Sequence, residues 1–237
     1  MTLSLSEFQD QLGISFQDEA LLKRSLVHPS YLNENPARGD EDNQRLEFLG
    51  DAILDFVSGE WLYHRFPDAH EGRLTRLRAA LVRRETLAQF ALDTHIHEAI
   101  LLGRGEEENQ GRQRASNLCD AFEAVVGAIY LDQGVASVRQ MVQPLFERAL
   151  DDIIRTQSDK DAKSRLQEWV QAHLGLTPRY ETIDSRGPDH AKEFTVAVYI
   201  GDQKQQEGTG RSKQAAAQAA ASATLDVLLN DAHLNGV

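Results

Sequence analysis

The chain has 237 residues, of which 41% are hydrophobic and 26% charged, and its formal net charge is −12. That length suits one large domain or two small ones with real hydrophobic cores, and the single cysteine excludes an internal disulfide. No basic segment followed by an apolar run opens the chain and no apolar stretch approaches bilayer length, so we expect a cytoplasmic protein with no membrane partner.

Residues 3–155 have the pattern of an all-helical domain. Apolar residues recur three and four positions apart in "EALLKRSLVH", "RLEFLGDAILDFVSGEWLYHRF", "GRLTRLRAALVRRETLAQFAL" and "LCDAFEAVVGAIYLDQG". Stretches rich in helix breakers, at 35–40, 66–72 and 103–116, separate these segments and predict loops there.

The segment "RTQSDKDAKS", residues 155–164, is polar and loses this periodicity, which indicates a linker. A different pattern follows it. "SRLQEWVQAHLG" predicts a short helix, "RYETIDSRG", "KEFTVAVYIGD" and "QKQQEGTG" predict strands, and "SKQAAAQAAASATLDVLL" favours a helix. The order α-β-β-β-α predicts a compact α+β module.

Two carboxylate pairs stand out in the helical part. Glu47 and Asp51 are four residues apart in "NQRLEFLGD", with Gln44 one turn earlier, so all three share one helix face. Asp120 and Glu123 lie three apart in a run that is otherwise almost wholly apolar. A solvated face with arginine partners is the simpler interpretation of such a pair. It fits the second pair poorly, because burying like charges together is costly unless a cation compensates them.

The negative net charge argues superficially against a nucleic-acid partner, since phosphate binding ordinarily depends on clustered lysine and arginine. Residues 1–159, however, carry 27 acidic and 16 basic side chains, against 10 and 9 in the remainder. Most of the excess negative charge thus belongs to the helical part. Helices that present carboxylates to one another can bind a divalent metal, which would account for some of these acidic residues. Carboxylates without histidine or cysteine favour Mg²⁺ or Mn²⁺, and such a site supports phosphodiester hydrolysis. Periodicity alone does not establish that the two helices meet.

The same residues resemble a known family. "NQRLEFLGDAIL" looks like the ribonuclease III signature helix, and "LCDAFEAVVGAIYLDQG", "HPSYLNE" and "HEGRLTRLRAALV" are similar to its other motifs, in the same order. The second module resembles a double-stranded RNA-binding domain through "RLQEWVQAHLGLTPRY", "SRGPDHAKEFTVAVYI" and "EGTGRSKQAAAQAAA". The resemblance implies an all-α endonuclease domain of the ribonuclease III fold at 4–155, a linker at 156–162 and an α+β RNA-binding domain at 163–230.

The resemblance also implies an activity. Members of that family are Mg²⁺-dependent endoribonucleases, in which Mn²⁺ substitutes and no organic cofactor takes part. They work as homodimers, cutting double-stranded RNA to 5′-phosphate and 3′-hydroxyl ends with a short 3′ overhang. Processing of ribosomal, messenger and transfer RNA is the expected role.

Residue roles follow from the same resemblance. The matched metal ligands are Glu47, Asp51, Asp120 and Glu123, with Asp51 and Glu123 in the positions called catalytic. Phe48 matches an aromatic residue of the dimer interface. Two accessory positions complete the site: Glu71, and Gln44, which stands where the family usually has glutamate.

A carboxamide at residue 44 accepts hydrogen bonds but brings no negative charge. In the family this position is not one of the four that bind the central metal, so we expect activity to be retained at an altered level. The alternative for Gln44 is a neutral helix-surface residue with no role.

In the second module a duplex is read by shape, because the A-form major groove is too narrow for a helix. Gln167 on the first helix and His190 in the "GPDH" turn are candidate minor-groove contacts, and the family match favours His190. The alternatives are a solvated helix residue for Gln167 and an exposed loop histidine for His190. Arg211, Ser212 and Lys213 open a helix whose free N–H groups favour phosphate.

Two alternatives stay open. One is a non-catalytic double-stranded RNA-binding protein that keeps the fold, with Gln44 as an early sign of lost turnover. The other is a different helical Mg²⁺ phosphohydrolase that acts on nucleotides. Cleavage of duplex RNA rather than free nucleotides distinguishes the nuclease from both.

Overall fold

A computed structural model of the chain describes residues 3–35, 41–156, 161–188 and 192–234. It divides into two compact units, residues 1–159 and 160–237. Most of the predicted loop at 35–40 and most of the predicted linker at 156–162 lie outside the described residues. Among the described residues, no helix is both long enough and apolar enough to cross a membrane.

The first unit is helical throughout, as predicted. Its elements are α1 (Leu5–Leu12), α2 (Glu19–Ser25), α3 (Pro29–Glu34), α4 (Gln44–Arg65), α5 (Glu71–Leu81), α6 (Arg84–Asp93), α7 (Ile96–Ala99), α8 (Arg104–Glu108), a 3-10 turn (Gly111–Gln113), α9 (Ala115–Gln133) and α10 (Val135–Thr156). The segment 103–116, predicted as a loop, contains α8 and the 3-10 turn. Both are too short to show an apolar period, which is why the sequence pattern missed them.

Helix α9 is the centre of this unit. Nearly every residue from Asn117 to Ile129 is buried, and the exceptions are Asp120 and Glu123, which are half-buried. A helix that is apolar almost all round is expected to be surrounded by others, and α2, α4, α6 and α10 all pack against it.

Two glycines allow α4 and α9 to touch through their backbones. A Cβ added to Gly50 would lie 1.8 Å from the carbonyl oxygen of Glu123, and one added to Gly127 would lie 2.3 Å from that of Leu46. No real Cβ approaches an oxygen so closely, so only glycine fits at either crossing point. The helices therefore cross at the turns that carry the two carboxylate pairs.

The second unit is the predicted α-β-β-β-α module. Its elements are α11 (Ala162–Leu174), β1 (Arg179–Arg186), β2 (Glu193–Ile200), β3 (Gln203–Gly210) and α12 (Lys213–Leu234). The three strands form an antiparallel sheet in the order β1-β2-β3, with Tyr180 opposite Val198 and Val196 opposite Gly208.

The alanines of α12 have a packing reason. Ala216, Ala220 and Ala221 are fully buried, and a Cβ on Gly208 of β3 would come within 2.1 Å of the Ala220 nitrogen. Small residues on both sides therefore let α12 lie directly on β3. Leu166 and Val170 of α11 complete the core of this unit.

Candidate active site

The crossing of α4 and α9 brings the two carboxylate pairs to one place. Gly50 lies on α4 between Glu47 and Asp51, and its Cα faces the backbone of Glu123 itself. Glu47, Asp120 and Glu123 are half-buried, whereas Asp51 is exposed. Three of the four carboxylates are therefore partly buried and the fourth is open to solvent.

Their electrostatics show that these carboxylates act on one another. Burial raises the pKa of Glu123 to about 7, and the negative charges of Asp51, Asp120 and Glu47 raise it as well, against a lowering contribution from the Cys119 contact. The pKa of Glu47 is also raised, first by burial and then by Asp120, Asp42 and Asp51.

The pKa of Asp120 is raised by burial, although the nearby positive charge of Arg84 and the imidazole of His28 act in the opposite direction. Like charges held together in this way are characteristic of functional sites, where a ligand supplies the compensating charge.

The donor set fits a hard divalent cation. Four carboxylates from two rigid helices offer oxygen ligands of the kind that Mg²⁺ and Mn²⁺ prefer. Bringing a dication among them would offset the cost of burying these charges and the mutual repulsion that further raises the pKa values of Glu47 and Glu123. The simpler interpretation, a solvated helix face, does not suit Asp120 and Glu123, which are flanked by the buried Leu118 and Phe122.

The raised pKa of Glu123 predicts a pH dependence of metal binding. A cation binds the ionised carboxylate, so a proton must leave Glu123 when metal binds below about pH 7. We expect the affinity for Mg²⁺, measured by calorimetric titration, to be constant above about pH 8 and to fall by up to about tenfold per unit below about pH 7.

The unliganded fold should show the opposite trend. Because the native state holds the Glu123 proton more tightly than the unfolded chain, this group makes the metal-free protein less stable as pH rises from about 4.5 to about 7.

The metal-binding prediction has a clear contradicting outcome. A metal affinity that did not change between about pH 8 and about pH 6 would contradict the assignment of Glu123 as a ligand.

Several residues that support the site were not identified from the sequence. The Nδ1 atom of His28 accepts a hydrogen bond from the Ser30 backbone N–H at 3.2 Å and lies 2.7 Å from the Ser30 hydroxyl. Ser30 Oγ in turn accepts the Gly103 N–H at 2.9 Å. Since Nδ1 is the acceptor, the imidazole proton is on Nε2. Burial lowers the pKa of His28, against the raising influence of Glu106 and Asp120.

A second set of contacts ties the 103–114 segment to the start of α9. Glu106 accepts hydrogen bonds from Arg114 and, at 2.8 Å, from the buried amide of Asn117. The Asn117 amide also donates to the Gly111 carbonyl at 3.0 Å. The signal in the sequence was weak, because charged residues in a segment rich in helix breakers look like an ordinary surface loop.

The two accessory positions lie apart from each other. Gln44 is the exposed first residue of α4, and its N–H donates to Asp42 at 3.2 Å. Glu71 is the exposed first residue of α5, where it accepts the Thr75 hydroxyl at 3.0 Å. Glu71 comes after the C-terminal end of α4. That end is about 20 Å from Asp51 along the helix axis. Within one chain, the interactions described for Glu71 do not connect it to the four central carboxylates.

An apolar stripe runs along the exposed side of α4. Phe48 is 80% exposed, Phe56 is 53% exposed and Tyr63 is 68% exposed. Large exposed aromatic residues in a row mark a surface that excludes water when it meets a partner.

The predicted RNA contacts of the second unit are on its surface where the structure describes them. Gln167 is exposed on α11, and Arg211, Ser212 and Lys213 are exposed at the start of α12. The Ser212 hydroxyl accepts the Ala215 N–H at 3.1 Å and so caps α12. His190 lies outside the described residues.

Comparisons with known proteins find relatives for both units. Residues 18–149 match the family model described as Ribonuclease-III-like, and residues 162–228 match that of the double-stranded RNA binding motif. Ribonuclease 3 of Roseiflexus sp. (strain RS-1) is 48% identical over 230 residues, covering 96% of this chain and 97% of the relative. Ribonuclease 3 of Chloroflexus aggregans is 43% identical over 227 residues, covering 95% of this chain and 98% of the relative.

Solved structures similar to the first unit include the following one. It is the nuclease domain of ribonuclease III from Campylobacter jejuni, from work on flexibility in a region involved in dimer formation. It is 38% identical with a TM-score of 0.57, and the match covers 62% of this chain and 98% of that one.

Proposed function

The chain belongs to the ribonuclease III family and is an endoribonuclease for double-stranded RNA, and we propose that Glu47, Asp51, Asp120 and Glu123 perform its catalysis by binding Mg²⁺. The observation that carries this proposal is the backbone contact at Gly50, which puts both carboxylate pairs at one crossing. Mn²⁺ substitutes, since the same oxygen ligands suit either ion.

The protein's own residues have distinct roles in this mechanism. The half-buried Glu47, Asp120 and Glu123 fix the site on two rigid helices, and the exposed Asp51 faces the incoming phosphodiester. When bound, Mg²⁺ supplies a Lewis acid that lowers the pKa of water and stabilises the charge of phosphoryl displacement. Glu123 gives up its proton to solvent as the cation binds. The family resemblance is the support for proposing Gln44, at the start of α4, and Glu71, at the start of α5, as accessory residues.

The products follow from hydrolysis that breaks the bond between the scissile phosphorus and its 3′ oxygen. We propose 5′-phosphate and 3′-hydroxyl ends with a short 3′ overhang, and substrates among structured precursors of ribosomal, messenger and transfer RNA. A cytoplasmic location fits the single cysteine.

A cleavage assay on a long perfect RNA duplex tests the function. We expect short duplexes that form only with a divalent cation and that are degraded by an exonuclease requiring a 5′-phosphate. Binding without cleavage would favour the non-catalytic alternative, and hydrolysis of free nucleotides in preference to duplex would favour the phosphohydrolase alternative.

The protein also acts as a homodimer in this proposal, with the α4 stripe as the contact. Burying one phenylalanine side chain contributes about 1.5–3 kcal/mol, and a symmetric interface buries two copies of Phe48. We expect Phe48→Ala to raise the dimer dissociation constant by at least about tenfold, as measured by sedimentation equilibrium.

The matched control for Phe48→Ala is Leu131→Ala, which removes an exposed apolar side chain from α9 instead. This control should leave the association unchanged. Equal dissociation constants for wild type and Phe48→Ala would show that the stripe is not the interface.

The affinity of the second unit for duplex RNA should depend only modestly on salt concentration, because few basic side chains are available to contact phosphates. Arg211 and Lys213 are exposed beside the N-terminus of α12, but Gln214 occupies an exposed position where a lysine would add charge. We expect Lys213→Ala in the full chain to weaken duplex binding severalfold and to reduce the slope of log affinity against log salt by about 1. Lys204→Ala removes an exposed lysine of β3 that pairs with Glu207, and it is the matched control. An unchanged slope for Lys213→Ala would remove this residue from the phosphate contacts.

A further inference from the structure

Arg84 is an exposed arginine at the edge of the carboxylate site. It is the first residue of α6, whose main packing partner is α9. Leu87, Ala88 and Ala91 follow it by three, four and seven residues and are all buried, so Arg84 lies on the face of α6 that is turned toward α9. Because α6 begins at Arg84, this side chain lies beyond the buried part of that face and stays exposed.

The packing of α6 on α9 places the charge of Arg84 beside the site. The ring centroids of Phe90 on α6 and Phe122 on α9 are 5.6 Å apart, which fixes the two helices against each other. Burial raises the pKa of Asp120, and the positive charge of Arg84 is the largest influence in the opposite direction. Burial raises the pKa of the neighbouring Cys119 thiol as well, and Arg84 again opposes it.

In the part of the chain that the structure describes, Arg84 forms no ion pair. Arginines on the helices beside α6 do pair, since Arg78 Nε of α5 lies 3.9 Å from Asp55 Oδ1 and Arg148 Nη2 of α10 lies 3.8 Å from Asp93 Oδ2. An exposed arginine that no acid neutralises is available to an anionic ligand. A guanidinium suits phosphate, because its planar fork donates two hydrogen bonds at once.

The charge balance of the site shows what such a residue would do. Four ionised carboxylates outweigh the charge of one bound Mg²⁺, so the site still repels the phosphates of an approaching strand. Phosphates follow one another closely along a duplex, so those beside the scissile phosphate also approach this charge. We propose that Arg84 binds a phosphate next to the scissile one and so positions the RNA strand against the four carboxylates. The inference rests on the proposed function in taking these carboxylates as the place of cleavage.

Cleavage of duplex RNA by the full chain at saturating Mg²⁺ tests the contact. Arg84→Ala should lower the second-order rate of single-turnover cleavage by at least about tenfold, the loss expected when a hydrogen bond to a charged group is removed. It should also reduce the slope of log rate against log salt by about 1, as expected for the loss of one phosphate contact. Arg84→Lys keeps the charge and should retain the wild-type slope.

Arg83→Ala is the matched control. Arg83 is an exposed arginine one position earlier, but its Nε donates to the Thr86 hydroxyl at 3.3 Å and it borders the groove between α6 and α10, with Gln89 and Asp93. This variant should keep the wild-type rate and slope. Equal rates and slopes for wild type and Arg84→Ala, or the same loss in both arginine variants, would overturn the proposal.

Mg²⁺ binding without RNA distinguishes this contact from the simpler interpretation, in which Arg84 only offsets the charge of Asp120. Because Arg84→Ala removes a positive charge beside the carboxylates, its Mg²⁺ affinity in a calorimetric titration should equal or exceed that of wild type. A Mg²⁺ affinity that falls in Arg84→Ala, with cleavage that recovers as Mg²⁺ is raised, would favour the simpler interpretation and overturn the proposal.

Failure of this inference and failure of the proposed function give different results. In the Glu123→Gln background duplex binding is measured without cleavage, and adding Arg84→Ala should again reduce the salt slope by about 1. A slope that depends on Arg84 in a protein whose wild type does not cleave would refute only the proposed function. Cleavage by wild type with slopes that do not depend on Arg84 would refute this inference alone.

Discussion

Glu123→Gln is expected to reduce Mg²⁺-dependent cleavage of duplex RNA by at least about 100-fold, since even partners outside the ligand shell of a metal contribute about 10–100-fold. The substitution keeps the size of the side chain and removes one of the charges that bind the cation. RNA binding should change little, because the second unit supplies the predicted duplex contacts. Cleavage rates from single-turnover assays and affinities from gel shifts separate the two effects.

The stability of this variant should not decrease. Glutamine at residue 123 removes the like-charge repulsion from Asp51, Asp120 and Glu47, so the metal-free variant should unfold at the same or a higher temperature than wild type above about pH 7. Glu85→Gln serves as the control for loss of an acid elsewhere in the same unit, and it should retain full activity. Near wild-type cleavage by Glu123→Gln would remove Glu123 from the catalytic set.

Gly50→Ala should be among the most destabilising single substitutions in the helical unit. The new Cβ would lie 1.8 Å from the Glu123 carbonyl oxygen. Because that oxygen belongs to the backbone, no side-chain rotation can relieve the clash. The helices must separate, which exposes core on both sides of the crossing. We expect a loss of about 3 kcal/mol or more in the free energy of unfolding, at or above the upper end of overpacking effects.

Gly59→Ala, nine residues further along the same helix, is the matched control. Its Cβ would meet only the flexible Arg78 side chain at 3.8 Å, an ordinary contact. Alanine is a better helix former than glycine, so this variant should gain about 0.5–1 kcal/mol. Denaturant unfolding of both variants measures the difference. Similar stabilities for the two would show that α4 and α9 do not touch at Gly50.

The fold was predictable because its signals are long and regular. The apolar period of α4 and α9 extends over many turns. The polar segment at 155–164 separates the two modules, and the alternating strand pattern that begins near residue 179 distinguishes the second from the first. The short elements α7, α8 and the 3-10 turn were not predictable, because a helix of four or five residues is defined by tertiary contacts such as those of Glu106 and Arg112 rather than by its own pattern.

The site was predictable in part. The spacing of Glu47 with Asp51 and of Asp120 with Glu123 follows from helix geometry, and acids within an apolar run were a clear signal. The crossing point was not predictable, because a helical glycine such as Gly50 gives no sign from sequence alone that another backbone lies against it. The influence of His28 and Arg84 on Asp120 likewise arises from contacts between distant segments.

The most direct test of the central claim is a crystal structure of the protein grown with Mn²⁺, with data collected where manganese scatters anomalously. The account predicts an anomalous peak coordinated by carboxylate oxygens of Glu47, Asp51, Asp120 and Glu123, at the crossing of α4 and α9. A crystal in which Mn²⁺ occupies other positions while these four carboxylates remain without an ion would contradict it.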